Sequence, residues 1–517
     1  MRARASLAPV LVRWLNRAWL VLAWGLLAAP VLALLVSMAS VPSSDWLSLA
    51  LPLGGRGILL LRSVALSAGS SLLATAVGLL AALRLWRVPS QARTALTWGA
   101  LAFAAIPPYI HALVWSHILG PAGWPAALWV QAAWFAPVAL ALCLAGLDGA
   151  DPELFDAARL HVPPWKAFAV GVLPSCRPHL LASFSLCFAI GLLDFTVPSL
   201  YHMDVYALDV FAELGATETP GRVVWMSLPL VASASLASLL FWRSIRVVAA
   251  GRSQPARPRP AVRWPMALVV LQGLAALIAL AWVGVPFVTL AVMTGSLGRW
   301  GAALANGSRE LETTAWVAVW AAALAVLAAR PWAGELARPG WRGVLAWTLL
   351  WIPWVLPPSL IGLGLIGVWN RSWFEPLMQS RGILVLASVE RFAPSAALVL
   401  WAVARQRDPA LLDAIRVHQR SAWHGWLHAG FGLERTGWLA AAALVLALSA
   451  GELGASLLVA PPGYATLTMR LYNYLHAGAT RSVAGTCLTM WLLTLLAGLV
   501  AFAALRGRTL DRRPPSP

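Results

Sequence analysis

Long apolar blocks alternate with short polar stretches along nearly the whole chain. Crossing a bilayer as a helix takes about 20 apolar residues, and in hydrocarbon only helices and closed barrels satisfy their own backbone. The blocks are too long for barrel strands. The pattern therefore predicts helices near 18–38, 59–83, 95–119, 125–147, 179–200 and 223–242, then near 265–293, 311–329, 343–367, 382–404, 438–460 and 483–505. The expected fold class is an all-α polytopic membrane protein with about 12 transmembrane helices. The block from Ala18 to Met38 exceeds the roughly 7–15-residue apolar core of a cleaved signal, so it is expected to stay as the first span, although Ser37-Met38-Ala39 has the small residues of a cleavage site.

Six spans precede and six follow the stretch from Arg243 to Arg263, which is rich in Arg, Pro, Gly and Ser and reads as a linker. The expected organisation is a first transmembrane domain (1–242), a basic linker (243–264), a second transmembrane domain (265–505) and a tail (506–517). The two sets of six are parallel repeats. Asp151-Pro152-Glu153-Leu154-Phe155-Asp156-Ala157-Ala158-Arg159 returns 257 residues later as Asp408-Pro409-Ala410-Leu411-Leu412-Asp413-Ala414-Ile415-Arg416. Phe135-Ala136-Pro137 matches Phe392-Ala393-Pro394 at the same spacing, and Trp165 with Trp423 and Asp194 with Glu452 match at 258. Ile106-Pro107-Pro108 resembles Leu356-Pro357-Pro358 at 250.

Composition agrees with a bilayer: 60% of residues are hydrophobic and 11% charged, against roughly 25% charged in soluble domains. The 30 Trp suit membrane interfaces. A net charge of +18 raises nucleic acid as a partner, but its distribution gives a better account. With the N-terminus inside, 28 of the 38 Arg and Lys fall in the inner segments, which places both termini in the cytosol by the positive-inside rule. No nucleic-acid partner is expected. Cys143, Cys176, Cys187 and Cys487 have no metal or redox spacing and read as small buried hydrophobes.

The first repeated island predicts an elbow. Asp151 caps a helix with Pro152 in its first turn, Pro163-Pro164 breaks it, and a second short helix runs from about Trp165 to Val172, ended by Leu173-Pro174. This elbow resembles the "EAA" loop of binding-protein-dependent ABC importer permeases, in which Glu-Ala-Ala is followed by Gly and then by an apolar-Leu-Pro ending. Asp156-Ala157-Ala158 takes the first part and Val172-Leu173-Pro174 the last, while Val162 stands at the Gly position. In the second copy Asp413-Ala414 fits, Ile415 replaces Ala, and Phe431-Gly432 stands in place of Leu-Pro. Gly451-Glu452-Leu453-Gly454-Ala455-Ser456 with Pro461-Pro462-Gly463-Tyr464-Ala465-Thr466 looks like the fused two-half permeases of the ferric-iron type, with thiamine permeases close by.

The resemblance implies a type I importer layout. Asp156, Ala157, Ala158, Leu173, Pro174, Asp413 and Ala414 would couple to two copies of a cytosolic ABC ATPase, and a periplasmic binding protein would deliver the solute to a multi-pass protein of the bacterial inner membrane. Ferric iron is the cargo it favours; thiamine and phosphonates stay open. An ATP-cradling loop needs Gly-x-x-x-x-Gly-Lys-Ser/Thr, and the single lysine, Lys166, follows Pro-Pro-Trp. ATP and Mg are thus expected on the partner ATPase, with no cofactor, no metal and no catalytic residue on this chain.

Ionisable residues inside spans are costly and mark pathways or structural pairs. Asp194 and Glu452 occupy matched positions and either line a cavity, where carboxylates suit a hard cation, bond to a neighbouring helix, or lie already in the outer headgroup layer. Glu390-Arg391 is expected to seek partners elsewhere, since adjacent residues on a helix do not face each other. Pro107, Pro108, Pro357 and Pro358 free backbone carbonyls and predict kinks beside a pathway or simple packing kinks. His111 and His117 read as packed rather than ligating, and the acidic outer segment 201–222 reads as a solvated loop or a contact for a binding protein. The rival reading is a twelve-helix secondary transporter driven by an ion gradient, which also has parallel halves but no need of paired elbows.

Overall fold

The computed structural model describes residues 2–104, 106–120, 123–250, 262–338, 340–405, 410, 413, 417, 434–476 and 480–510, and among these there is helix and no strand. The main helices of the first half are α1 (Arg2–Met38), α2 (Gly55–Leu85), α3 (Ser90–Ala104), α4 (Pro108–Leu119), α5 (Trp124–Asp148), α6 (Pro152–Arg159), α7 (Arg177–Leu193), α8 (Thr196–Leu200) and α9 (Pro220–Ala250). Those of the second are α10 (Met266–Thr294), α11 (Ser308–Leu336), α12 (Trp341–Val355), α13 (Pro358–Trp369), α14 (Gly382–Arg405), α15 (Arg435–Ala450), α16 (Ser456–Val459) and α17 (Thr480–Leu510). Nine described helices are long and apolar enough to cross a membrane, or up to eleven if each of two bent pairs is one span. The protein is an all-α polytopic membrane protein.

The departures from twelve straight spans have physical causes. The third and ninth expected spans bend by 90° between α3 and α4 and by 103° between α12 and α13. A residue before proline is pushed out of the helical region: Leu356 has ψ 135°, and Pro357 and Pro107 each have ψ 138°. Pro108 and Pro358 then open the next helix, where a missing N–H costs nothing. The fifth and eleventh expected spans stop early, α7 at Leu193 and α15 at Ala450, and resume as the short α8 and α16. Their breaks fall on Asp194 and Glu452.

Within the halves, α2 packs along α5 and α11 along α14. The opening helices cross over: α1 lies against α11 and α13 of the second half, and α10 against α2 and α5 of the first. Each delivers a tryptophan to the other half. Trp24 stacks on Trp332 with centroids 4.9 Å apart, and Trp282 meets Trp129 edge-on at 5.0 Å. Trp24 and Trp282 are themselves 258 residues apart, the spacing of the repeat. Glycines allow the α1–α13 approach, because a Cβ at Gly364 would sit 2.7 Å from the Pro30 carbonyl oxygen.

Gly364→Ala is therefore expected to lower unfolding stability in mild detergent by about 1–3 kcal/mol, the usual cost of overpacking. Gly25→Ala, whose Cβ would meet nothing within 4 Å, should cause no loss. Equal melting midpoints for the two variants would remove the close α1–α13 contact from the packing account.

Candidate functional site

The four interruptions converge. A cavity of about 540 Å3 lies between the halves, lined by segments of α3, α4, α5 and α7 from one and of α12, α14, α15 and α17 from the other. Pro107, Pro108, Asp194, Pro358 and Glu452 all lie on its wall, and Pro357 is not among the lining residues. The repeat register survives on the wall. Phe135 and Phe392 correspond at 257, as do Trp134 and Arg391, and Val138 and Ser395. Aromatic and aliphatic side chains make up most of the remaining surface, among them Trp98, Tyr109 and Trp354.

The two carboxylates do the same structural work. Asp194 Oδ1 accepts from the Thr196 amide (3.0 Å) and hydroxyl (2.6 Å), and Oδ2 from the Val197 amide (3.4 Å). Glu452 Oε1 accepts from the Ala455 amide and Oε2 from the Ser456 amide, each at 2.9 Å, and Oε2 also takes the Ser456 hydroxyl. Each carboxylate thus satisfies the otherwise unbonded amides that begin the helical turn after the break. Nearby, Gln131 accepts from Ser70 (2.8 Å) and donates to the Gly191 carbonyl (3.2 Å), holding the end of α7. Small residues let the breaks approach one another: a Cβ at Gly451 would lie 2.7 Å from Pro107, and one at Gly454 2.5 Å from Pro358.

The halves differ at one charge. Arg391 Nη1 donates to Glu452 Oε1 at 2.7 Å, with the arginine side chain 30% exposed and the glutamate 1%. Sequence adjacency says nothing of this pair, since 61 residues separate the two; the signal available was the register, which sets Arg391 opposite Trp134. Glu390 is buried at 2%, and neither carboxyl oxygen meets a hydrogen-bond partner among the described residues. The expectation that both members of Glu390-Arg391 find partners thus holds for Arg391. His111 is buried beyond the cavity lining, whereas His117 is exposed rather than packed. All four cysteines are free and buried. No cluster of three or more His, Cys, Asp or Glu suited to a metal occurs among the described residues.

The first elbow sits at one end of the bundle. The Asp151 side chain accepts from the Glu153 amide at 3.0 Å, with Pro152 in the first turn of α6. After the Pro163-Pro164 break, helix covers Pro164–Ala167, widens to a π-type turn over Phe168–Val172 and tightens over Leu173–Cys176. Leu173-Pro174 does not end the piece as expected. Pro174 falls in the first turn of the tight segment, where it needs no N–H, and the chain continues into α7. Phe155, Ala167, Phe168, Val172 and Cys176 are buried against Trp86, Leu144 and Leu147. A Cβ at Gly171 would sit 2.6 Å from the Leu154 carbonyl, with Ala158 next nearest, so small residues set the spacing of the two arms.

The opposite face of the elbow is open. The Asp156 carboxylate is 65% exposed with Arg159 at 3.5 Å, and Leu160, Trp165 and Val170 are exposed around it. Ala157 is exposed and Ala158 half-buried. The far end of the linker touches this elbow, with Trp264 edge-on to Phe168 at 4.9 Å. Of the second copy, Asp413 is helical and exposed, while Ala414 and the Phe431-Gly432 ending lie outside the described residues. An ion pair with one buried member borders each copy, Arg93–Asp148 (3.3 Å, Arg93 buried) before the first and Arg330–Glu434 (2.8 Å, Glu434 buried) after the second. In the segment 201–222, helix spans Tyr206–Ala216, and Glu213 pairs with Arg222 at 2.8 Å. Burial holds the Asp209 carboxyl above the usual carboxylate range, against the opposing pull of Arg56.

Fold and site define a helical membrane protein with a cavity lined by helices from both sides of the linker. The chain is similar to a protein of Salmonella typhimurium named "Putative 2-aminoethylphosphonate transport system permease protein", with 26% identity over 151 residues. The match takes in 29% of this chain and 56% of that protein, and a counterpart of the same name in Salmonella choleraesuis matches to the same extent. The chain thus aligns with little more than half the length of these relatives. No family model matches.

Glu452→Ala removes a cap and strands a half-buried guanidinium, so a loss of about 3 kcal/mol is expected. Asp194→Ala removes a cap and a Gln131 contact but strands no charge, for about 1–2 kcal/mol. Chemical unfolding of the two variants in detergent checks the order, and a larger loss for Asp194→Ala would contradict the ion pair's role.

Proposed function

We propose that this chain is the transmembrane permease subunit of an ATP-driven ABC importer. Two copies of a separate cytosolic ATPase bind the paired elbows, a periplasmic binding protein delivers a small solute to the opposite end, and the solute crosses through the cavity between the halves. ATP and Mg act on the ATPase, and both termini and the linker face the cytosol of a bacterial inner membrane. The supporting observation is the first elbow. Its inner face is buried on α2 and α5, while Asp156, Leu160, Trp165 and Val170 stand exposed as a mixed polar and apolar surface. A rigidly seated lever with an open outer face is what a detached motor needs to grip. Asp156, Ala157, Ala158, Leu173 and Pro174 form that lever in the first half, and Asp413 and Ala414 take the matching role in the second.

Pro107, Pro108, Asp194, Pro358 and Glu452 shape the pathway, and Pro357 fixes the bend behind it. The resemblance to ferric-iron permeases favours that cargo, and the two matched carboxylates would suit a hard cation without identifying it. Both are engaged in capping backbone amides, so that argument loses its two free ligands. The name of the Salmonella relatives makes an aminoalkylphosphonate the first cargo to test beside ferric iron and thiamine.

Co-expression of the chain with its ATPase and binding protein should yield a complex whose ATP hydrolysis rises when the binding protein is loaded. Asp156→Lys should insert normally, because its one ionic neighbour on the elbow, Arg159, is itself 59% exposed. It should weaken ATPase association about tenfold, roughly 1.4 kcal/mol. Uptake by the purified chain alone down an ion gradient would replace this reading with the secondary transporter.

A further inference from the structure

We infer that Arg391 is a binding residue for an acidic group on the transported solute, and that it binds by exchanging Glu452 for that group. The inference rests on the cavity being a transport pathway.

Three observations carry it. Arg391 is the one cation among the described lining residues, and its side chain is 30% exposed. A guanidinium has five N–H donors in a flat fork, and Glu452 receives one of them, through Nη1. The carboxylate also does not depend on Arg391, because the Ala455 amide, the Ser456 amide and the Ser456 hydroxyl remain on it when the arginine turns away. Glu452 therefore holds the guanidinium in place without consuming it. Phosphonate, phosphate and carboxylate match its fork geometry.

The binding is one-sided. The matched position in the first half is Trp134, and Asp194 is answered by Thr196 and Val197 without a cation. An acidic group entering the cavity thus has a single charged destination, on α14 and not on α5, with Phe392 and Trp354 nearby on the wall for the rest of the molecule.

The test uses the purified full chain in detergent, with methylphosphonate, acetate and methylammonium as probes and the melting temperature as readout. Wild type should show a saturable rise with at least one of the two anions and none with methylammonium; which anion acts separates a phosphonate from a carboxylate site. Arg391→Gln should abolish the rise. Arg391→Lys keeps the charge but loses the fork, and should weaken the midpoint about tenfold; it decides the matter if Arg391→Gln does not fold. Arg338→Gln, at a half-exposed arginine outside the cavity, should leave the midpoint unchanged. No rise with either anion in wild type, an equal rise with methylammonium, or an unchanged midpoint in the Arg391 variants would overturn the assignment. The readout involves no ATPase, so failure of the complex to assemble would count against the importer reading alone.

Discussion

A peptide group inside hydrocarbon must find its hydrogen bond within the protein, and that requirement decides where this bundle is allowed to be irregular. An unbroken helix satisfies it everywhere. The chain departs from unbroken helix at four membrane-level positions, and all four abut the same cavity. Two departures are made by proline, which has no amide to satisfy. The other two are made by carboxylates, Asp194 and Glu452, whose oxygens take the amides that the break exposes. The cavity exists because these residues let four helices turn aside around one space without leaving bare backbone.

Much of this was legible in the sequence. Apolar block length gave the helices, and the 257–258 register paired the halves and picked out Asp194 with Glu452. The Asp-Pro opening and the Pro-Pro break described the first arm of the elbow. Other features were not local enough to read. The partner of Arg391 lies on another helix, and pattern reasoning has no means of joining two side chains 61 residues apart. The expected helices 179–200 and 438–460 are apolar on both sides of their carboxylates, so periodicity ran straight through breaks that a capping interaction creates. Leu173-Pro174 read as a terminator because proline ends most helices, yet a tight turn that begins at Leu173 accepts it.

Near-symmetry and its violation divide the labour within the molecule. Bends, caps and the cross-half tryptophans are duplicated, and they set the frame. The charge at Arg391 against Trp134 is not duplicated. The matched features hold the bundle together, and the unmatched charge stands on the cavity wall.

The crossing of the opening helices bears on how such a chain is made. Trp24 rests on Trp332, and Trp282 on Trp129. A ribosome that has released only the first repeat has a membrane segment whose seat has not yet been synthesised, and that segment must wait in lipid for the second repeat to arrive. Neither set of helices therefore completes its packing until helices from the other side of the linker are in place.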